Sequence, residues 1–280
     1  MSISPIITVI VAVYNGENTL QRCIDSFLEQ DCDNKELIII DGASTDRTLQ
    51  IIERNKEKIK YYSSEPDKGI YDAWNKGLKQ ANGEWICFLG ADDYFWENST
   101  LKIVSNELAL IPKNFLVAYG KVMLINFRGE KLFAVGEPWI EAKKKLFSYM
   151  SIPHQGVMHR RDLFVKHGDF DPEFRIAGDY DLLLRELKLG DAFFVDRIFS
   201  NMEVGGISSD PKNHFLGLRE FKKARVKNNL PAHTISSVAG DFRVLIRIIA
   251  FKLINEKLAR VILDLFRQIQ GKKPYWTKAN

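Results

Sequence analysis

From Ile6 to Tyr14 nearly every position is apolar, and the run stops at the turn-forming pair Asn15-Gly16. Leu20, Cys23, Ile24, Phe27 and Leu28 then recur at three- and four-residue intervals, the spacing of a helix with one face on a sheet. The alternation repeats. Leu37 to Ile40 is a second apolar run, ending in Asp41-Gly42-Ala43-Ser44-Thr45-Asp46, where Ser44 or Thr45 is expected to cap a helix carrying Leu49, Ile51 and Ile52. Lys60 to Ser63 predicts a short third strand and Glu65 to Gly69 a turn, followed by Ile70, Ala73, Trp74, Gly77, Leu78 and Ala81 at helical spacing. A fourth run, Gly83 to Leu89, is rich in aromatic and branched side chains and suits a strand buried on both faces. Strands alternating with helices in this way predict a mostly parallel α/β sheet with right-handed crossovers, which puts Tyr14, Asp41 and Asp92 at its carboxyl edge.

The later pattern is less regular. Leu101 to Leu110 reads as a helix, Leu116 to Phe127 with Leu132 to Val135 as a hairpin around Arg128-Gly129-Glu130, and Glu137 to Tyr149 as a helix over the mouth of that edge. Asp171 to Asp181 opens a helix whose apolar face is Leu182, Leu183 and Leu187. Residues 1–215 are expected to form the sheet domain and 216–280 a C-terminal helical extension. From Asp241 to Gln270 the extension predicts one or two helices with a wide apolar face and Arg243, Arg247, Lys257, Arg260 and Arg267 at roughly helical spacing. Lys272, Lys273, Tyr275 and Trp276 follow. Such a segment suits an in-plane helix on anionic lipid, and equally a helix packed on the domain or in a homodimer through 240–270.

Composition narrows the field. The chain of 280 residues is 45% hydrophobic and 27% charged, as soluble globular proteins are, and a formal net charge of +4 is too small to argue for nucleic acid. Cys23, Cys32 and Cys87 form no CxxC pair and fit a reducing cytoplasm. The first strand leaves no room for a leader, and no uncharged apolar run approaches the roughly 18 residues that span a bilayer.

Open α/β sheets bind ligands at the carboxyl edge, and neither dinucleotide fingerprint GxGxxG nor phosphate loop GxxxxGK[ST] follows the first strand. What stands there instead is Asp92-Asp93, at an expected solvent-facing strand end. One carboxylate can ligate a divalent cation while the other reaches a neighbouring hydroxyl.

Val13-Tyr14-Asn15, Asp41 to Asp46, Asp67 to Gly77 and the Asp-Asp pair together resemble the family 2 glycosyltransferases of GT-A fold, over about residues 6 to 210. The resemblance implies a Rossmann-like, mostly parallel sheet flanked by helices, and an inverting metal-dependent glycosyltransferase. By that likeness Asp93 ligates Mn²⁺ or Mg²⁺ and Asp92 contacts the ribose or the metal's water. Val13, Tyr14, Asn15, Asp41, Lys68, Gly69, Asp72 and Asn75 hold the nucleotide-sugar donor. The second-strand motif is commonly Asp-Asp-Gly-Ser, and here Gly42 replaces its second Asp. Asp179 matches the catalytic base, whereas Asp181 points about 200° away around the helix and cannot share that role. His154 resembles a histidine that closes on donor or acceptor, and His159 reads either way. Gly205 to Ser209, with Lys212 and His214, resembles a lid over the diphosphate. The implied acceptor is a glycan or lipid-linked saccharide in bacterial cell-surface polysaccharide synthesis. Two other readings keep the same sheet: a sugar-phosphate nucleotidyltransferase, which would need a basic Gly-rich loop after the first strand, and a non-catalytic nucleotide or glycan binder, which would need neither Asp93 nor Asp179.

Overall fold

A computed structural model describes residues 6–206, 213–269, 271 and 273–279. The first half alternates as the pattern predicts: β1 (Ile7–Val13), α1 (Leu20–Leu28), β2 (Lys35–Asp41), α2 (Thr48–Asn55), β3 (Tyr61–Ser64), α3 (Ile70–Leu78) and β4 (Trp85–Gly90). Strands β3, β2, β1 and β4 lie side by side and parallel. Along β4, Ile86 and Phe88 enter one apolar layer while Trp85, Cys87 and Leu89 enter the other, and all five are buried. Both faces of the sheet are therefore covered, which is why the strand reads as continuous apolar sequence.

Beyond β4 the sheet turns mixed. It continues through β5 (Tyr94–Phe95), α4 (Thr100–Leu110), β6 (Val117–Ile125), β7 (Lys131–Val135), α5 (Trp139–Leu146), β8 (Val157–Arg160), α6 (Arg161–His167), α7 (Gly178–Leu187) and β9 (Ala192–Glu203). β8 runs antiparallel to β4 and β6, β9 is parallel to β6, and β7 completes the expected hairpin on β6. Register sets Val13 opposite Asp41 and Ala12 opposite Gly90, so three loops open at one level of the carboxyl edge.

The cap of α2 differs from expectation. The N-cap residue is Arg47, without a side-chain cap bond; Asp46 just before it accepts the Thr48 N–H at 2.9 Å, while the Ser44 hydroxyl is bonded to Asp41 and the Thr45 N–H to Asn15.

The C-terminal region is α8 (His214–Lys227), α9 (Ile235–Leu253) and α10 (Glu256–Ile269). Helix α8 packs on α7 and sends Ala224 and Phe221 into the core. Thr234 caps α9 and bonds Ser148 at 2.8 Å. After α10 the amides of Tyr275, Trp276 and Thr277 gather on the buried Asp264 carboxylate, and Asn126 holds the Lys278 carbonyl. Tyr275 and Trp276, expected as interfacial aromatics, instead turn back onto Phe133 and Phe251.

Candidate active site

The loops after β1 and β2 are stitched together. The amides of Asn15, Gly16 and Glu17 donate to Ser44, Thr48 and Asp46 at 2.7–3.0 Å, and the Asn15 side chain accepts the Thr45 N–H. Asn15 and Ala43 both take positive φ, 53° and 61°, a conformation non-glycine residues adopt only where surroundings enforce it. Tyr14 stands at this platform, 65% exposed. Val13 is buried beneath, its carbonyl taken by Gly42.

Asp41 is fully buried, its carboxylate taken by Ser44 and Ser64, so it holds the platform from below. Across the platform a β-carbon on Gly42 would lie 2.6 Å from Asp67 Oδ2. The carboxylate missing from position 42 thus has a neighbour in Asp67, the first residue of the motif Asp67 to Gly77, which the sequence left without a role. The Lys68 side chain is exposed, and its amide is capped by Asp72. Asn75 bonds both the amide and the carbonyl of Phe170, at 3.0 and 2.8 Å, tying α3 to the chain that leads into α7.

The carboxylate pair sits differently from expectation. Asp92 is partly exposed, but Asp93 is buried, accepting the Glu203 N–H at 3.1 Å, because the chain folds under β9 as it leaves β4. Burial raises the pKa of Asp93 well above the carboxylate range, and the Asp92 charge adds to it. Burial, then Glu203, raises Asp92. Arg22 reaches in from α1 to the Asp92 carbonyl at 2.6 Å and Glu203 at 3.0 Å. Asp92 Oδ1 and Asp93 Oδ2 each lie 2.7 Å from where a β-carbon on Gly90 would stand, so they converge on a space that glycine leaves open. Among the described residues no cluster of three or more His, Cys, Asp or Glu is set to hold an ion. Two convergent carboxylates with raised proton affinity still suit Mn²⁺ or Mg²⁺ that takes its other ligands from phosphates and water, as Mg²⁺ commonly does.

Asp179 opens α7. Its Oδ1 accepts the Tyr180 N–H at 2.8 Å and the Tyr71 hydroxyl at 3.1 Å, while Oδ2 has no partner among the described residues. Burial pushes its pKa up to about 6, against the lowering effect of these hydrogen bonds. A carboxylate poised there suits a general base near neutral pH. Tyr71 lies in the first turn of α3, so Asp179 and the Asp92-Asp93 pair share the carboxyl edge. Asp181 is buried against Arg185, Lys227 and Asn228, as the helical geometry predicts.

His154 and His159 are both buried in an aromatic wall with Trp74, Phe88 and Phe170. Burial lowers the His154 pKa to about 3, so its ring is neutral and offers hydrogen bonding rather than charge. His214 is buried too, and of the lid expected at Gly205 to Ser209 with Lys212, residues 207–212 lie outside the described residues. Tyr71, Arg22, Glu203 and Glu220 escaped the sequence reading. Each acts on a partner about 70 or more residues away, or across a helix pair, and only Tyr71 sat inside a recognised motif.

The glycosyl transferase family 2 profile matches residues 8–118. A PGL/p-HBAD biosynthesis glycosyltransferase of Mycobacterium tuberculosis is 33% identical over 187 residues, 65% of this chain and 70% of that protein. A chondroitin synthase of Pasteurella multocida is 28% identical over 284 residues, 94% of this chain and 29% of that protein. Among solved structures, S. aureus TarS 1-349 in complex with UDP-GlcNAc superposes with a TM-score of 0.61 at 21% identity, covering 94% of this chain and 78% of that one. The mannosyltransferase PcManGT from Pyrobaculum calidifontis, in complex with GDP-Man and Mn²⁺, gives 0.62 at 18% identity, covering 99% and 84%. The likeness to these two shows a shared GT-A architecture.

Proposed function

The chain belongs to glycosyltransferase family 2 and is a GT-A enzyme, and from that premise we propose that it moves a sugar, with inversion, from a nucleotide-sugar donor to a hydroxyl of a glycan or lipid-linked saccharide in bacterial cell-surface polysaccharide synthesis. The observation that carries this reading is Asp179, a carboxylate near pKa 6 at the same sheet edge as the convergent pair Asp92 and Asp93. The chondroitin synthase relative supports a saccharide acceptor, and the donors in the TarS and PcManGT complexes support a nucleoside diphosphate sugar.

In this reading Tyr14 stacks on the base over the platform that Asn15, Ser44 and Asp41 make rigid, and Lys68 faces the donor from the turn before α3. Val13, Gly69, Asp72 and Asn75 shape the donor site from behind. Asp93 and Asp92 would hold Mn²⁺ or Mg²⁺, which when bound offsets the charge developing on the diphosphate leaving group. Asp179 Oδ2 takes the proton of the acceptor hydroxyl, with Tyr71 fixing the carboxylate through Oδ1. His154 forms a neutral wall beside the acceptor. One base and one displacement give inversion. A nucleotidyltransferase is disfavoured because the amides of residues 15–17, which would cradle a triphosphate, already have side-chain partners.

The reading includes an anionic membrane surface as partner for α9 and α10. No described helix is long and apolar enough to cross a membrane. Yet Phe242, Leu245, Ile249 and Leu253 on α9, and Leu258, Val261, Leu265, Phe266 and Ile269 on α10, are exposed rather than packed on the sheet domain. Residues 235–279 carry nine Lys and Arg against three Asp and Glu, leaving 31 against 33 for the rest of the chain. A self-complementary dimer would set these cations against themselves, whereas anionic lipid complements them.

The enzymatic reading is tested by incubating the full chain with UDP-, GDP- and dTDP-sugars and saccharide acceptors and following nucleoside diphosphate release and product linkage by NMR. Release that needs Mn²⁺ or Mg²⁺ and yields the inverted anomer is expected. Metal-independent turnover, or a retained anomer, contradicts it.

A further inference from the structure

The backbone amides of Arg175, Ile176 and Ala177 all point at one carboxylate. Glu220 on α8 accepts them at 2.9, 2.7 and 3.0 Å, and the Arg175 amide reaches its second oxygen at 3.1 Å. The Glu220 carboxylate is buried, and no cation pairs with it among the described residues. Consecutive N–H groups converging in this way make an anion nest, and here the chain fills the nest with its own side chain. The three amides belong to the last residues before Gly178 opens α7, and Asp179 is the next position. An empty nest would leave three converging donors, the buried Ala177 amide among them, without their partner, at a cost that reshaping the turn would relieve.

Charge points the same way. The start of α7 alone would stabilise an ionised Asp179 and weaken it as a base. Glu220 opposes that, since its negative charge acts to raise Asp179. The other groups around the site are accounted for. From α3, Tyr71 donates to Asp179; on α7, Asp181 turns away to Arg185 and Lys227; on α8, Lys223 pairs with Glu173, and Lys227 with Asp171 and Asp181.

We propose that Glu220 is the positioning residue of the catalytic base: by gathering the amides of residues 175–177 it sets the turn that aims Asp179. This rests on the reading of Asp179 as the base. The test needs no donor. The Asp179 carboxyl is titrated by NMR in ¹³C-aspartate-labelled full-length protein, its signal assigned by its loss in Asp179→Asn, and amide shifts of residues 175–177 are recorded in parallel. In Glu220→Gln the Asp179 midpoint falls by more than about 0.3 pH unit from its value near 6, and the three amides move upfield. In Glu220→Asp, which keeps the charge and shortens the reach, the midpoint stays within about 0.3 unit while the amides move. An unmoved midpoint in Glu220→Gln overturns the proposal, as do amides that stay in place in both variants. Should Glu220→Gln not fold, Glu220→Asp decides alone: shifted amides with a retained midpoint support the proposal, and unshifted amides overturn it. Full turnover by Asp179→Asn would remove the base reading instead, and would leave the titration result standing.

Discussion

Asp179 binds its proton more tightly in the folded chain than a free carboxyl does, so the residue we propose as the base weakens the fold. Its folded pKa, about 6, lies above the unfolded value of roughly 3.9. Stability from this group is therefore fully present below about pH 4 and is lost as pH rises through 6. Asp179→Asn should unfold later than the native chain at pH 7–8, by on the order of 1–2 kcal/mol, and no later at pH 4. It should also lose about 10²–10⁴ in turnover while keeping donor affinity. Denaturant melts at the two pH values check the first claim, and a variant less stable at pH 8 would contradict it. Gly90 gives a second residue-scale expectation. A methyl at this position would stand 2.7 Å from one oxygen of each acidic side chain. Gly90→Ala should accordingly weaken Mn²⁺-dependent donor binding at least tenfold, as read by calorimetry, and native affinity in that variant would show that the two carboxylates do not share a ligand.

At the scale of elements, α3 is the bar on which the site is assembled. Tyr71 holds Asp179, Asn75 holds Phe170, and Trp74 lies against His154 with ring centroids 5.0 Å apart. Asn75→Ala leaves the Phe170 amide and carbonyl without side-chain partners and should destabilise by about 1–3 kcal/mol. Turnover should fall further than donor affinity, because the α7 start loses its tie to α3. Equal loss of both in parallel kinetic and binding measurements would place Asn75 in the donor site itself. This helix also marks how far sequence goes. Continuous apolar runs reveal β1, β2 and β4, and period-3.6 patterns the helices between them, because burial on both faces or on one is written directly into side-chain polarity. Asp93 stands out in the sequence as a candidate ligand but not as a buried residue, since its burial comes from β9, over a hundred residues away. The same holds for Glu220 and Arg22, polar residues on helices whose partners are set by tertiary packing alone. Antiparallel β8 was hidden for a related reason: four buried residues, two of them His159 and Arg160, carry no periodic signal.

For the whole molecule, the sheet brings Asp92, Asp93 and Asp179 to one edge, and α9 with α10 carries exposed apolar side chains, tied back by Thr234 at one end and Lys278 at the other. Full-length protein should co-sediment with vesicles containing anionic phosphatidylglycerol, less at high salt, and Leu258→Ser with Phe266→Ser should reduce that binding at least fivefold without altering donor turnover. Unchanged binding in the double variant, or none by the native chain, would contradict a membrane role for this face. The central claim is that Asp93 and its neighbour hold a cation that recruits a nucleotide-sugar donor to this edge. Thermal unfolding of the native chain and of Asp93→Ala, with UDP-, GDP- and dTDP-sugars and either Mn²⁺ or EDTA, tests it most directly. At least one donor at about 100 times its Kd should raise the native Tm by about 5 °C with Mn²⁺, and shift neither the EDTA sample nor Asp93→Ala. A donor that stabilises both proteins equally in EDTA, or no stabilisation of the native chain by any donor, would contradict it.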